Sequence, residues 1–378
     1  MSLNNYYTLG RSGLRVSRLA LGTMTFGTEW GWGADRQTAQ TLFNDYVDAG
    51  GNFLDTADLY TNGTSETWLG EFITEHDLRD KMVIATKFSY NAEPGNPNAG
   101  GNGRKNILRA VEGSLKRLNT DYIDLYLLHT WDKITPAEEV MRTLDDLVRS
   151  GKVRYVGLSD VPAWYASRAQ TISELKGYET LSTLQLEYSL VERNIENEFV
   201  PFGTEHGMGI MVWSPLASGL LSGKYRPSEG GGMGEGRLEA TKNVNNPAFQ
   251  KFTERNWKIV AELEAIAKEM GHSMAQVAVN WAANQPGIAS VIVGATKTHQ
   301  LKDNLQALDF TIPQELLTRL NEASSPELKF PYFFFSAEMQ AMLHGGVTVG
   351  AKPQHYYPLI ETSCSSAGVE LGDDNNNE

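Results

Sequence analysis

Along the chain, short apolar runs alternate with longer stretches whose apolar positions recur every three to four residues. The runs, expected as strands, cover 18–24, 52–56, 82–87, 123–128, 153–158, 182–187, 209–213 and 290–294. Between them, helical spacing is expected at 36–49, 64–75, 104–119, 136–150, 163–176 and 194–206. Two further helices, 250–270 and 274–284, separate the last two strands, and 298–308 and 313–323 follow. Strands alternating with helices predict parallel βαβ units rather than a meander. Runs such as Met82-Val83-Ile84-Ala85 and Ser290-Val291-Ile292-Val293 are almost wholly apolar, as expected where both sheet faces are covered. Eight such units fit a closed (β/α)8 TIM barrel, taken here as one α/β domain over residues 1–325. An open doubly wound sheet would carry a G-x-G-x-x-G turn after its first strand. Here that place holds Gly22-Thr23-Met24-Thr25-Phe26-Gly27, which does not fit.

Three segments lie outside the eight-fold pattern. Residues 5–17 read as a short hairpin turning at Gly10 and Gly13, able to close the barrel floor. The glycine-rich stretch 225–245 is expected as a mobile loop after the seventh strand. From 326 onward a C-terminal extension opens on Phe330-Pro331-Tyr332-Phe333-Phe334-Phe335 and ends in an Asp/Asn-rich run expected to be disordered.

Charge and cysteine content narrow the function classes. A formal net charge of −13 argues against a nucleic-acid partner, which calls for clustered Lys and Arg, while leaving room for an anionic ligand held by a few local cations. Cys364 is the only cysteine, so an intrachain disulfide and a thiolate metal cluster are both excluded. No apolar run approaches transmembrane length and the first residues lack a signal-peptide pattern. A cytoplasmic enzyme without a membrane partner is the expectation.

The candidate chemistry sits where three strands end. Asp55, Lys87 and His129 close the second, third and fourth strands, and Tyr60 follows in the loop after the second. In a (β/α)8 barrel the C-terminal strand ends converge on one rim. A free phenol, with a pKa of about 10, is a poor acid at neutral pH. A neighbouring ammonium favours the phenolate, so Lys87, held by Asp55, is expected to make Tyr60 acidic, with His129 donating to a carbonyl oxygen. The other histidines lie in expected helices, loops or the tail. No H-x-H or H-E-x-x-H pattern points to a metal. After the seventh strand, Ser214-Pro215-Leu216-Ala217-Ser218-Gly219 leads to Lys224; after the eighth, Gly294-Ala295-Thr296-Lys297 opens a helix. These are the loops that bind phosphate in this fold, and together they suit a dinucleotide.

With these motifs in place, the chain resembles the aldo-keto reductases over about residues 6–325. The resemblance rests on Asn52-Phe53-Leu54-Asp55-Thr56-Ala57-Asp58-Leu59-Tyr60, Ala85-Thr86-Lys87, Asp124-Leu125-Tyr126-Leu127-Leu128-His129, Gly157-Leu158-Ser159, Gln185-Leu186-Glu187-Tyr188 and Trp213-Ser214-Pro215-Leu216. The branch it resembles includes potassium-channel β subunits and bacterial reductases. The resemblance implies carbonyl reduction by NADPH, with Tyr60 as proton donor and Asp55, Lys87 and His129 completing a tetrad. It implies that Trp213 stacks on the nicotinamide and that Ser159, Asp160 and Gln185 face the carboxamide. Gly22, Thr23 and Met24 would lie alongside, and the loop of Ser214, Pro215, Leu216 and Lys224 would cover the pyrophosphate. Gly294, Thr296, Lys297, Gln300 and Asn304 would surround the adenosine, with Arg237 as a clamp.

Two positions depart from the family pattern. Asp160 stands where Asn is frequent, and a carboxylate accepts but does not donate. Gln300 replaces a frequent adenine-side Arg, leaving Lys297 and Arg237 to supply charge to a 2′-phosphate. NADPH is the expected cofactor and NADH the alternative. Trp30, Trp32, Phe88, Tyr90 and Trp131 are expected to wall the mouth for a small carbonyl or alcohol substrate. Two other functions stay open: a Schiff-base lyase using Lys87, and a cofactor-binding regulatory subunit with little turnover.

Overall fold

The computed structural model describes residues 3–228, 231–241, 246 and 249–347. Contacts divide the chain into two units, one ending at Ser325 and one beginning at Pro326.

The first unit opens with an antiparallel hairpin, β1 (Tyr6–Thr8) and β2 (Arg15–Ser17). Its turn docks on the barrel floor: Arg11 N–H donates to the Gly207 carbonyl, and a Cβ at Gly10 (φ +61°) would fall 2.4 Å from that oxygen. The barrel then runs through β3 (Leu19–Gly22), β4 (Phe53–Asp55), β5 (Val83–Phe88), β6 (Ile123–Leu128), β7 (Val153–Ser159), β8 (Leu181–Glu187) and β9 (Gly209–Trp213). Between these lie α1 (Arg36–Asp48), α2 (Thr64–Glu75), α3 (Arg104–Arg117), α4 (Ala137–Arg149), α5 (Ala163–Lys176) and α6 (Ile195–His206). A small hairpin follows, β10 (Tyr225–Ser228) and β11 (Gly231–Gly234), then α7 (Arg237–Ala240), α8 (Glu254–Met270) and α9 (Met274–Ala283). Strand β12 (Ile288–Val293) pairs with β3 on one side and β9 on the other, closing an all-parallel barrel of eight strands. Helices α10 (Thr298–Leu305) and α11 (Gln314–Ser324) end the unit. In the second unit, a turn at Tyr332–Phe335 precedes α12 (Ala337–Leu343), with the Phe333 and Phe334 rings 4.3 Å apart. The expected disordered end and Cys364 lie outside the described residues.

Strand alternation decides what reaches the rim. Side chains at i and i+2 share a face, so Phe53, Val83, Ala85, Leu125, Leu127 and Met211 fill the barrel interior. Ile84, Phe88, Tyr126, Leu128 and Leu158 pack outward under the helices. Continuing the inward rows upward brings Asp55 after Phe53, Lys87 after Ala85 and His129 after Leu127. The inward rows of β7 and β9 end on Ser159 and Trp213, and that of β8 passes through Gln185 to Glu187. The same alternation corrects one expected wall residue. Phe88 is fully buried on the outer face, 5.0 Å from the Tyr126 ring, and does not line the mouth.

The glycine-rich stretch is also more ordered than expected where it is described. Residues 225–228 and 231–234 pair in register, Tyr225 opposite Gly234. A Cβ at Gly232 would fall 2.8 Å from the Phe252 ring and 2.9 Å from the Trp257 ring, which stack on each other at 5.5 Å. Glycine here permits close packing rather than looseness.

Candidate active site

Tyr60, Lys87, Asp55 and Gln185 form one buried chain of hydrogen bonds. Lys87 Nζ donates to Asp55 Oδ2 at 2.8 Å, to the Thr56 carbonyl at 2.8 Å and to the Tyr60 hydroxyl at 3.3 Å. Gln185 Nε2 donates to the other carboxylate oxygen of Asp55 at 2.7 Å. The expectation for Gln185 therefore changes: its amide nitrogen is engaged beneath the rim, fixing Asp55. Burial disfavours the charged form of Lys87, but Asp55 and Tyr60 outweigh it, and the ammonium's pKa is raised. Lys87 stays charged.

Tyr60 departs from the simple expectation. Burial pushes its pKa up to about 12, against the opposing pull of the Lys87 ammonium. In this resting arrangement the phenol is firmly protonated, as a proton donor must be. The ammonium 3.3 Å away acts on the phenolate only as the proton leaves. His129 is neutral, its pKa lowered well below the usual range by burial and then by Lys87. Its Nδ1 is buried without a hydrogen-bond partner. Ring contacts line these groups in a row: Trp30 to Tyr60 at 6.5 Å, Tyr60 to His129 at 5.8 Å, and Tyr90 to His129 at 5.0 Å, all edge-on. Trp131 sits against Trp164 and Tyr165 at 5.1 and 5.3 Å.

The loop carrying His129 is tied down by residues with no obvious sequence signature. Ser89 Oγ accepts from the His129 N–H at 3.1 Å and from Asn102 Nδ2 at 2.7 Å. Asn102 and Asp132 exchange two further bonds, each 2.8 Å. The only hint in sequence is a polar Asn within a run of glycines.

On the opposite wall, Trp213 Nε1 donates to Asp160 Oδ1 at 3.1 Å. Asp160 is exposed to solvent, yet the atoms packed around its carboxylate disfavour its charge and raise its pKa to about 7. Ser159 Oγ is buried without a partner. Asp160, Ser214, Ala217 and Ser218 all hold left-handed backbone, φ +45° to +57°. Strained non-glycine backbone of this kind concentrates at functional sites.

Beyond Trp213 the loop becomes cationic. A Cβ at Gly219 or Gly236 would fall 2.7 or 2.5 Å from Lys224 Nζ, so the ammonium lies in a cradle only glycines leave open. Arg237 stacks its guanidinium over the Trp32 ring at 4.5 Å. Burial, then Arg237 and Lys297, lower the Lys224 pKa, which places both of those cations near Lys224. None of the ion pairs among the described residues engages Lys224, Arg237 or Lys297. Three cations gathered here without an ion pair among the described residues suit an anionic ligand.

Other expected contacts fall less directly at the mouth. Gly22 and Thr23 are buried, the Thr23 hydroxyl held by the Asp55 carbonyl at 3.0 Å and by Ser65 at 2.8 Å, while Met24 is partly exposed. Pro215 is buried; Ser214 and Leu216 are partly open. Gln300 Oε1 accepts from the Thr296 N–H at 3.1 Å, and Asn304 is buried, leaving Gly294 and Lys297 as the exposed members of that loop. The unpartnered Ser159 and His129 atoms, the flat anchored indole and the cation cluster all fit a nicotinamide dinucleotide.

Comparison with known proteins agrees. The sequence matches the aldo/keto reductase family over residues 18–325. It is 37% identical over 328 residues to the uncharacterised oxidoreductase YrpG of Bacillus subtilis (strain 168), covering 84% of this chain and 95% of that protein. A probable voltage-gated potassium channel β subunit of Oryza sativa subsp. japonica is 38% identical over 307 residues, 80% of this chain and 91% of that one. An aryl-alcohol dehydrogenase [NADP(+)] of Phanerodontia chrysosporium is 34% identical over 339 residues, 85% and 86% of the two chains. The chain therefore belongs to the aldo/keto reductase family of oxidoreductases.

Proposed function

We propose that the protein is an NADPH-dependent carbonyl reductase, interconverting an aromatic aldehyde or ketone and its alcohol, with Tyr60 as the proton donor. The observation that carries this reading is the Tyr60 hydroxyl held 3.3 Å from a fully buried ammonium that is itself fixed by Asp55. The nicotinamide, when bound, supplies hydride to the carbonyl carbon. The chain's residues do the rest. Neutral His129 donates a hydrogen bond to the carbonyl oxygen and orients it toward Tyr60. Tyr60 passes its proton to that oxygen as the alkoxide forms, and Lys87 stabilises the phenolate left behind. Gln185 and Asp55 hold Lys87 in place. Trp213, pinned to Asp160, offers a flat face to the ring, and Ser159 meets the carboxamide. Lys224, Arg237 and Lys297 gather around the phosphates, which favours NADPH over NADH because the 2′-phosphate adds charge to be matched.

The aromatic preference is supported by the row of Trp30, Tyr60, His129 and Tyr90 rings and by the name of the Phanerodontia relative, an aryl-alcohol dehydrogenase. A lyase mechanism through Lys87 is disfavoured, because an imine-forming amine must be neutral and this one is held charged. A regulatory role is supported only by the likeness to channel-subunit relatives. Titration with NADPH and NADH, followed by a panel of aromatic and aliphatic aldehydes read at the nicotinamide absorbance, tests the reading. Tight NADPH binding with turnover of aromatic aldehydes supports it. Binding without oxidation of NADPH favours the regulatory role, and binding of neither nucleotide overturns both.

A further inference from the structure

Asp55 ends β4, Glu187 ends β8 and Asp160 follows β7, and the first two of these carboxylates are paired with cations. Asp55 is paired with Lys87 at 2.8 Å, and Glu187, at the end of β8, with the buried Lys251 at 2.8 Å. Asp160 has no cation partner among the ion pairs of the described residues; only the Trp213 indole N–H reaches its Oδ1. Its position is fixed from several sides. Its N–H donates to the Gln185 carbonyl at 3.3 Å, its own carbonyl accepts from Thr130 Oγ1 at 3.4 Å, and its backbone is held at φ +45°. Its charge is felt by Tyr60 and Tyr90, each of whose pKa it helps to raise. A carboxylate without an ion-pair partner among the described residues therefore lies against the indole and within electrostatic range of the proton donor.

We propose that Asp160 selects the oxidation state of the cofactor: its carboxylate stabilises the positive charge carried by the oxidised nicotinamide ring, so the protein holds NADP+ more tightly relative to NADPH than an asparagine here would allow. The inference rests on the cofactor reading above and adds a consequence specific to this chain. Hydride transfer from alcohol to NADP+ gives the carbonyl, NADPH and one proton, and the nicotinamide ring loses its positive charge. A fixed anion beside the ring favours the cationic side of that exchange. Relative to an Asn at this position, Asp160 slows net carbonyl reduction by retaining NADP+, and helps load the enzyme for alcohol oxidation.

The effect depends on Asp160 being ionised, so it titrates. The charged and titratable groups facing it are Lys87 and Tyr90 from β5 and its loop, Tyr60 from the loop after β4, and Glu187 with Lys251 beside β8; Trp213 faces it from β9. Burial raises the Asp160 pKa to about 7, with the Trp213 bond opposing, so its charge changes within the accessible pH range. The sign follows by linkage: NADP+ favours the ionised form, so its binding near neutrality releases protons, whereas NADPH binding does not through this group. The 2′-phosphate titrates nearby, but both nucleotides carry it, so it cancels in their ratio.

The test is the ratio of dissociation constants, NADPH over NADP+, from Trp fluorescence between about pH 5.5 and about pH 8.5, spanning a neutral to an ionised carboxyl. The expected result is a rise of about tenfold across that range in the native protein, the order of one partly hydrated charge contact, and a flat ratio in Asp160→Asn. Calorimetry in buffers of different ionisation enthalpy should show more proton release on binding NADP+ than on binding NADPH, and the excess should vanish in the variant. A flat native ratio, or a pH-dependent one that survives in Asp160→Asn and Asp160→Ser, overturns the inference while leaving the cofactor reading intact. Failure of both nucleotides to bind the native protein overturns both. The native ratio stands as a test even if a variant does not fold.

Discussion

Lys87→Met isolates the electrostatic help given to the proton donor. Methionine is close in length and apolar, so the buried space stays filled while the ammonium is removed. The magnitude follows from the geometry. A full unit charge 3.3 Å from a phenolate is worth about 5 kcal/mol at an effective dielectric of about 20. If half the phenolate charge has developed in the transition state, about 2.5 kcal/mol is lost, or about a hundredfold in rate. Stability also falls. Removing one partner of a buried ion pair costs about 3–5 kcal/mol, and the bond from Gln185 to Asp55 remains to moderate this. The assay is single-turnover oxidation of bound NADPH by an aromatic aldehyde, with NADPH affinity and circular dichroism as controls. A folded variant that binds NADPH and keeps its rate within about threefold would refute the role given to Lys87.

Further predictions address other parts of the site. Asp58 is buried beside Glu66, and burial raises its pKa to about 7. The folded state thus holds a proton the unfolded chain releases above about pH 4. Stability should therefore fall as pH rises from about 4 to about 7, by an upper bound of about 4 kcal/mol. Asp58→Asn should raise the melting temperature at about pH 8 and leave it nearly unchanged at about pH 4; an equal shift at both would show that the carboxyl is not titrating. Removing one member of the cation cluster, by Lys297→Met or Arg237→Met, should weaken NADPH by about tenfold or more in at least one variant and NADH by less, with a shallower salt dependence; equal loss for both nucleotides would place these cations away from the 2′-phosphate. Asn102→Ala should release the bonds to Ser89 and Asp132, lowering kcat by about tenfold with little change in NADPH affinity, because His129 loses its backbone anchor rather than the cofactor its site.

Much of this was legible in the sequence because a barrel strand is a simple rule repeated. Leu125, Leu127 and His129 share a parity, as do Val83, Ala85 and Lys87, and the polar member at the top of each inward row identifies the rim. The less legible parts depended on partners far apart in the chain. Gln185 bonds Asp55 across 130 positions, which no local pattern encodes. The glycine-rich stretch read as mobile because its composition shows no side chains, whereas its glycines admit Phe252, Trp257 and Lys224 at close range. Phe88 read as one of the aromatics walling the mouth, although the parity of β5 turns it outward. The acidity of Tyr60 was misjudged for a related reason: proximity to Lys87 is visible in the motif, but the depth of burial that outweighs it is not.

The account's central claim is that Tyr60 gives its proton to the substrate oxygen. Tyr60→Phe removes one hydroxyl from a residue only 8% exposed and leaves the Lys87–Asp55 pair in place. Single-turnover NADPH oxidation by an aromatic aldehyde should fall by about a thousandfold or more, with NADPH affinity unchanged within about twofold. Turnover in Tyr60→Phe within about tenfold of the native rate, with the cofactor still bound, would contradict the claim.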